Sequence, residues 1–325
     1  MILVTGATGL IGNAIVRLLV ERGEPSRALV RDPDRARQVL PAPAQLVRGD
    51  VNEPASLAPA LRGVRLAFHA AGLPEQWARD ETVFDRVNRQ GTANVLQAAV
   101  DAGVERVVYT SSMDVFRKDA EGTLRETQVD VAPKPTAYER SKQEAEREAD
   151  RARERGLDVV FVNPAAVYGP GPSATGTADF FVKLISGRAP LLPPGGMSLA
   201  YVDSVADAHL SAAERGQSGE RYLLGDVYVT VRQLAELTAR VAALRRVPPT
   251  APAWVMRVFA SASARLARAL GFTPLVAPGQ LSFLLWEAKV DATKARATLG
   301  YRPFPLEEGV RRTVDHLRST GVVTG

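Results

Sequence analysis

The sequence predicts an α/β protein with a doubly wound parallel sheet of about seven strands and a second, smaller and mainly helical unit. Three observations predict this class. Short apolar runs alternate with segments of helical periodicity through the first half of the chain. Polar and apolar residues do not alternate within the runs, which is typical of strands in a parallel sheet covered on both faces. A glycine-rich turn directly follows the first run, at the start of a helical segment.

The first half contains six predicted strands, and a seventh is predicted near residues 222–224. The six apolar runs are Ile2–Val4, Arg27–Val30, Gln45–Val47, Leu66–Phe68, Arg106–Tyr109 and Val159–Val162. Helical spacing predicts helices over Leu10–Glu21, about Thr82–Ala102 and about Tyr138–Arg155.

The composition changes after Asn163, where proline, glycine and apolar residues become frequent up to residue 200. We therefore divide the chain into a dinucleotide-binding domain over 1–163 and a substrate-pocket segment over 164–202. Residues 203–229 return to the sheet. Residues 230–325 form a mainly helical C-terminal unit, with Thr230 as the N-cap of its first helix.

Composition excludes several kinds of site. The 325 residues carry a net charge of +5, but only six of the 41 basic residues are lysine, and the arginines are interspersed with acids. This pattern predicts a solvated surface and no nucleic-acid partner. The absence of cysteine excludes disulfides and thiol catalysis. The three histidines have no metal-ligand spacing, so we expect no metal.

Location and assembly are expected from simple features. The apolar run that begins at Ile2 predicts no leader peptide and a cytoplasmic protein. Proline and glycine interrupt the charge-free stretches, so no stable membrane insertion is expected. Residues around Trp254, Met256, Val258 and Phe259 could lie on a membrane surface or form ordinary amphipathic packing, and we favour the packing. We expect a monomer or a homodimer.

The turn after the first strand carries glycines at positions 6, 9 and 12. Gly6 would allow the tight turn, Gly9 the approach of a pyrophosphate, and Gly12 close packing of the helix on the sheet. Free N–H groups at the helix N-terminus would face the phosphates. The strand–turn–helix context predicts a Rossmann fold that binds a dinucleotide.

The second predicted strand ends in Arg31, Asp32 and, three residues later, Arg35. An acid at this strand end would bind the ribose 2′-hydroxyl of NAD, whereas an arginine would bind the 2′-phosphate of NADP. Arg31 and Arg35 favour NADP, and Asp32 leaves NAD open.

Three residues are candidates for the chemistry. Tyr138 and Lys142 are four residues apart, on one face of the predicted helix. The lysine charge would lower the pKa of the phenol, which could then exchange a proton while hydride moves to or from nicotinamide. Ser112 follows the fifth strand and would donate a hydrogen bond to the carbonyl oxygen. Asp114 is interpreted as a surface residue or one that supports Ser112 from outside the reacting centre.

These motifs, in this order, resemble the extended short-chain dehydrogenases/reductases over nearly the whole chain. The resemblance implies catalytic roles for Ser112, Tyr138 and Lys142, and NADP or NAD as cofactor. The expected cofactor contacts are Gly6, Thr8, Gly9, Leu10, Ile11, Gly12, Arg31, Arg35, Asp50, Val51, Ala70, Ala71, Asn88, Thr110, Tyr138, Lys142, Pro164 and Val167.

Three branches of the family are similar to this chain. Residues 30–33 resemble the dihydroflavonol-reductase-like group, and residues 201–209 resemble the 3β-hydroxysteroid dehydrogenase group. Residues 77–80 and 162–164 resemble the hopanoid-associated sugar epimerases. Many sugar-nucleotide enzymes of the family carry Arg-Pro where this chain has Asn163-Pro164, which weakens a sugar-nucleotide interpretation.

The variable segment is apolar and suits a hydrophobic small-molecule substrate. The expected substrate contacts are Trp77, Met113, Ala166, Phe180, Phe181, Leu184 and Met197. About half of the apolar residues in this segment are expected to be core instead.

Two enzymatic functions and one regulatory function follow. The leading hypothesis is a carbonyl reductase or alcohol dehydrogenase that acts on a bulky hydrophobic ketone or alcohol. The alternative is a sugar-nucleotide epimerase or dehydratase that retains its cofactor. A non-catalytic sensor of the cofactor is disfavoured because the Tyr138–Lys142 pair is present.

Overall fold

The computed structural model describes residues 1–74, 77–172 and 176–323. Within these ranges the chain forms thirteen strands. They are β1 (Ile2–Thr5), β2 (Ser26–Val30), β3 (Gln45–Arg48), β4 (Leu66–His69), β5 (Arg106–Thr110), β6 (Phe116–Lys118), β7 (Thr123–Val129), β8 (Asp158–Pro164), β9 (Ala166–Tyr168), β10 (Gly196–Tyr201), β11 (Arg221–Leu224), β12 (Val227–Thr230) and β13 (Lys289–Val290).

The same ranges contain thirteen α-helices and two short segments of other helical type. The α-helices are α1 (Leu10–Glu21), α2 (Pro33–Arg37), α3 (Pro54–Leu61), α4 (Thr82–Phe84), α5 (Gly91–Asp101), α6 (Ala137–Glu154), α7 (Thr177–Ile185), α8 (Val202–Arg215), α9 (Val231–Val241), α10 (Ala253–Leu270), α11 (Pro278–Trp286), α12 (Thr293–Leu299) and α13 (Leu306–Ser319). A π-helix over Asp85–Gln90 joins α4 to α5, and a 3₁₀-helix covers Met113–Val115.

Seven parallel strands form the central sheet, in the order β11-β8-β5-β4-β1-β2-β3. This confirms the predicted Rossmann fold, and the predicted strands are each within two residues of the observed ones. The strand order reverses between β1 and β4, which lie side by side with Thr5 opposite His69. Ligands bind outside the carboxyl ends of the strands at such a switch point.

Two core clusters cover the two faces of this sheet. Alternate residues of one strand therefore belong to different clusters: Val4 packs beneath α1, and Leu3 packs beneath α3 and α5. Burial on both faces explains why polar and apolar residues do not alternate along the inner strands.

Two small sheets outside the central one were not predicted from the sequence pattern. Strands β9, β10 and β12 form a three-stranded sheet, and β6, β7 and β13 form another. Beyond Thr230 the chain is mainly helical, as expected, and Thr230 caps α9 through a capping box with Gln233. The predicted divisions at 163/164, 202/203 and 229/230 stay predictions.

No helix in the described ranges is both long enough and apolar enough to span a bilayer. Among the same residues, no group of three or more acidic or histidine side chains is placed to hold a metal ion.

Candidate active site

A cavity of about 1200 Å³ opens at the carboxyl edge of the central sheet. It begins at the turn after β1 and continues between the sheet and the helices α7, α10 and α11. Tyr138, Lys142 and Ser112 line it together, so the structure brings the three predicted catalytic residues to one cavity.

The glycine turn is built from backbone contacts that leave no room for side chains. Gly6 has a φ of 66°, and a Cβ at this position would lie 2.5 Å from the carbonyl oxygen of Ala70, in the loop after β4. A Cβ on Gly12 would collide with the backbone of Gly6. Both positions therefore require glycine if the turn, β4 and α1 are to approach this closely.

The N-terminus of α1 faces the cavity. In the described part of the chain, no side chain caps the helix at Gly9, and its first turn contains no acidic residue. Residues 9–12 all line the cavity. A helix terminus with free N–H groups attracts anions, so this turn fits the diphosphate of a dinucleotide.

Tyr138 stands in the first turn of α6, which starts where Thr136 and Glu139 form a capping box. The Thr136 hydroxyl accepts a hydrogen bond from the Glu139 N–H at 3.1 Å. The Glu139 carboxylate accepts one from the Thr136 N–H at 2.9 Å. Tyr138 is buried and meets the edge of Phe84, with ring centroids 6.1 Å apart. The cap thus fixes the helical register that places Tyr138 at the cavity wall.

Lys142 lies one turn further along α6, buried, and its ammonium donates to the carbonyl oxygen of Thr110 at 3.2 Å. Burial lowers its pKa to about 8, although the charges of Glu146 and Asp114 act in the opposite direction. The ammonium also lies 5.7 Å from the centre of the Tyr109 ring.

Ser112 follows β5 and makes a hydrogen bond that the sequence did not predict. Its hydroxyl donates to the Asp114 carboxylate at 2.8 Å, and Asp114 is buried at the cavity wall. Burial, followed by the negative charge of Glu139, raises the pKa of Asp114 to about 6. Of the two interpretations of Asp114, the surface residue was wrong, because the 3₁₀ turn after Ser112 directs the side chain inward, whereas a residue that supports Ser112 agrees with this hydrogen bond.

A buried polar network supports the Ser112 loop from behind. The Glu146 carboxylate accepts hydrogen bonds from Ser111 at 2.5 Å, Asn163 at 2.8 Å and Arg221 at 2.7 Å. Asn163 also donates to the carbonyl oxygen of Ser112 at 3.1 Å. The network joins β5, α6, β8 and β11, and we did not identify Glu146 or Arg221 from the sequence.

Comparison with known proteins agrees with this geometry. The family model described as "NAD dependent epimerase/dehydratase family" matches residues 2–225. This chain belongs to that family. It is thus an extended short-chain dehydrogenase/reductase and an NAD(P)-dependent oxidoreductase by family.

One relative and two solved structures show how far the similarity extends. A Synechocystis protein named "Putative dihydroflavonol 4-reductase" is 32% identical over 327 residues, covering 98% of this chain and 95% of the relative. The crystal structure of gox2253 is 32% identical, with a TM-score of 0.84 over 99% of this chain and 98% of that one. The Thermus thermophilus UDP-glucose 4-epimerase in complex with NAD is 26% identical, with a TM-score of 0.78 and 98% of each chain covered.

The expected cofactor residues divide into two groups in this family member. Ten of them line the cavity: Gly9, Leu10, Ile11, Gly12, Ala70, Thr110, Tyr138, Lys142, Pro164 and Val167. The others lie at its margin or outside it: Gly6, Thr8, Arg31, Arg35, Asp50, Val51, Ala71 and Asn88. Whether each one contacts the cofactor stays a prediction.

The Asn88 side chain makes hydrogen bonds within the protein that its family motif alone did not predict. It lies in the π-helix, and its side-chain oxygen accepts from the Leu73 N–H at 2.7 Å. Its amide nitrogen donates to Ser141 at 2.9 Å, and Ser141 donates to the carbonyl oxygen of Tyr138 at 2.6 Å. Asn88 therefore ties the loop after β4 to the helix that carries Tyr138.

Two other expected cofactor residues have protein partners. The Asp50 carboxylate accepts from the Asn52 backbone at 2.9 Å and from the Asn52 amide at 3.0 Å, which closes the turn after β3. Val51 is buried against Gly91 at the start of α5.

Five of the seven expected substrate residues line the cavity, namely Trp77, Met113, Ala166, Phe180 and Met197. Phe181 and Leu184 are not among its lining residues, and we no longer propose them as substrate contacts. Both belong to the core cluster of the second unit, where Phe181 packs 6.3 Å from Tyr168 between ring centroids. They lie about 100° around α7 from Phe180 and Lys183, on the side that packs into that core.

Proposed function

We propose that this chain is a carbonyl reductase or alcohol dehydrogenase that prefers NADP(H) and acts on a bulky hydrophobic ketone or alcohol. The observation that carries the proposal is the lining of the cavity beyond the catalytic residues. It is formed largely by aromatic and aliphatic side chains of the variable segment and of α10 and α11, among them Phe180, Met197, Leu266 and Phe283. Such walls suit an apolar substrate.

The charges of the variable segment support the same conclusion. Asp179 and Lys183 line the cavity, but they pair with each other at 2.6 Å, and Lys183 also donates to the carbonyl oxygen of Leu275 at 2.8 Å. No arginine is found among the described lining residues. A sugar diphosphate needs cationic or bidentate donors, so the lining favours a substrate without a diphosphate.

The catalytic roles follow from the chemistry of each side chain. When bound, the nicotinamide supplies or accepts the hydride. Tyr138 gives a proton to the carbonyl oxygen during reduction and takes it back during oxidation. Ser112 donates a hydrogen bond to the same oxygen. Lys142 places a positive charge next to the phenol, which stabilises the phenolate that remains after proton transfer.

The preference for NADP(H) rests on the strand end after β2. Arg31 and Arg35 are exposed there. Asp32 is occupied as the N-cap of α2, where its carboxylate accepts from the N–H groups of Asp34 at 3.0 Å and Arg35 at 3.1 Å. The arginines are thus available for a 2′-phosphate, while the carboxylate already has two partners.

A substrate panel tests the proposal. NADPH absorbance is followed with purified protein and a set of aromatic, steroid and long-chain ketones, and then with UDP- and dTDP-sugars. We expect stoichiometric loss of NADPH with a hydrophobic ketone. A rearranged sugar product without net NADPH loss would establish an epimerase instead.

A substitution in the cavity wall tests whether the substrate binds against it. Phe180→Ala removes a phenyl group from the lining and should lower kcat/KM for a bulky ketone about tenfold or more. The matched control is Val131→Ala, at an exposed apolar residue that is not among those lining the cavity. Equal kcat/KM values for the Phe180 variant and the control would show that substrate does not use this wall.

A further inference from the structure

Helix α10 exposes most of its large apolar side chains to solvent. It buries Met256 and three alanines, whereas Trp254, Val258, Leu266 and Leu270 are between 53% and 69% exposed. A helix that only packs against its own protein places its large apolar side chains inward. The packing that we favoured from the sequence is thus found for Met256 but not for Trp254, Val258 and Phe259, which form an exposed apolar surface.

The exposed residues form a continuous surface, which we call the α10 stripe. Trp254, Val258, Ala262, Leu266 and Leu270 follow one another at intervals of four residues, so they lie along one side of the helix. Phe259, next to the stripe, is 43% exposed. Exposed patches of this kind mark contacts with proteins or membranes.

The charges along α10 distinguish between these two partners. The helix contains Arg257, Arg265 and Arg268 and no acidic residue. Arg79 adds a fourth guanidinium close to Gly271, at the C-terminal end of the helix. Among the described residues, one carboxylate pairs with these arginines. It is Glu81, which lies 2.6 Å from Arg268. The stripe therefore has a strongly basic border.

We propose that α10 lies on the surface of an anionic lipid bilayer, with the stripe in the headgroup region and the arginines against the lipid phosphates. An apolar face bordered by arginines is the arrangement that interfacial helices use. Two-fold pairing with a second copy would instead bring the same arginines together without carboxylates on the helix to neutralise them.

The α10 stripe lies next to the cavity, so the lipid contact could serve substrate entry. Ala262 and Leu266 belong to the stripe and also line the cavity, as does Phe259. A hydrophobic substrate dissolved in the bilayer could enter the cavity along this wall without crossing water. This second step rests on the proposed reductase function, whereas the lipid contact itself does not.

Vesicle flotation with the full chain tests the lipid contact. The probes are vesicles of phosphatidylcholine alone and vesicles of phosphatidylcholine mixed with phosphatidylglycerol. We expect binding to the anionic vesicles, weaker binding at high salt, and little binding to the neutral ones. Failure to bind the anionic vesicles at low salt would overturn the proposal.

Two double variants identify the surface. Trp254→Ser with Val258→Ser removes apolar residues that do not line the cavity, and Arg257→Gln with Arg265→Gln removes two charges. Each arginine should contribute about fivefold to binding of anionic vesicles. The control, Arg62→Gln with Arg240→Gln, changes the net charge equally at exposed positions elsewhere. If the control loses as much vesicle binding as Arg257→Gln with Arg265→Gln, binding depends on net charge alone.

Two further measurements separate the other outcomes. Light scattering shows whether the wild type is a dimer that Trp254→Ser with Val258→Ser converts to a monomer, which would assign the stripe to a second copy. Reduction of a water-soluble ketone without vesicles should be unchanged in that variant. If no ketone is reduced while anionic vesicles are still bound in the expected manner, the reductase proposal fails and the lipid contact stands.

Discussion

The hydroxyl of Ser112 donates its hydrogen bond to the carboxylate of Asp114 at 2.8 Å, within the wall of the cavity. A serine hydroxyl has a single proton. While Asp114 is ionised, that proton points at the carboxylate and is withdrawn from a substrate carbonyl. When Asp114 is protonated, the carboxyl group can donate to Ser112, whose own proton becomes available to the substrate. The protonation of Asp114 should therefore control Ser112.

The first prediction is a pH step in activity. The pKa of Asp114 is raised to about 6, so kcat/KM for ketone reduction should fall as the pH rises through about 6. Asp114→Asn mimics the neutral carboxyl group, because its amide can donate to Ser112 at every pH. The step should be absent from the pH–rate profile of this variant. A step of unchanged size in Asp114→Asn would assign it to another group.

The second prediction concerns stability. Because the folded pKa of Asp114 lies above the ordinary value of 3.8, the folded state holds the proton more tightly than the unfolded state. Stability is thus lost as the pH rises from about 4 through about 6, by about 3 kcal/mol at most. Asp114→Asn should be more stable than the wild type at pH 7 and lose this advantage near pH 4. Urea unfolding at both pH values measures the difference, and an advantage that is equal at both would contradict it.

The third prediction concerns Lys142, whose pKa burial lowers to about 8. Loss of its proton removes the positive charge that stabilises the phenolate of Tyr138. Ketone reduction should therefore fall a second time as the pH rises through about 8. The Asp114→Asn variant should lose the lower step and retain this one at a lower pH, because the Asp114 charge that raises the pKa of Lys142 is then absent. A profile that stays flat from pH 7 to pH 9 would show that the Lys142 charge is not needed.

The fourth prediction concerns the cofactor. Arg31→Ser with Arg35→Ser should raise KM for NADPH about tenfold to a hundredfold, since hydrogen bonds to a charged group are worth about 1.5–3 kcal/mol. KM for NADH should change little. Arg37→Ser is the control from the same segment, because Arg37 pairs with Asp34 on α2. Equal increases in KM for NADPH and NADH would show that these arginines do not bind the 2′-phosphate.

Local sequence pattern was sufficient to predict the central sheet and to place Tyr138 and Lys142 on one helix. The strands are short and apolar because both of their faces are buried, and that signal requires no knowledge of distant residues. The spacing of Tyr138 and Lys142 on α6 is likewise local. The short strands β9 and β10 were not predicted because they begin in a segment rich in proline and glycine, and β12 was not predicted because its structure depends on pairing with the distant β10.

The missed site residues share one cause. Asp114 looked like an ordinary polar residue because nothing nearby in sequence shows that Glu139 and Lys142 enclose it. On α7, Phe180 faces the cavity and Phe181 faces the core, yet both sides of that helix are apolar. Burial of a charge and the choice between two apolar faces are tertiary properties, which a single sequence does not display.

The most direct test of the catalytic assignment is single-turnover ketone reduction by Tyr138→Phe with NADPH bound. The variant loses the proton donor and keeps the ring that packs on Phe84, so hydride transfer should slow about 10²–10⁴-fold while the Kd for NADPH stays close to the wild-type value. Tyr228→Phe, at a tyrosine whose hydroxyl donates to Glu287 away from the cavity lining, should leave the rate unchanged. A Tyr138→Phe rate equal to that of the wild type would contradict the assignment of Tyr138 as the proton donor.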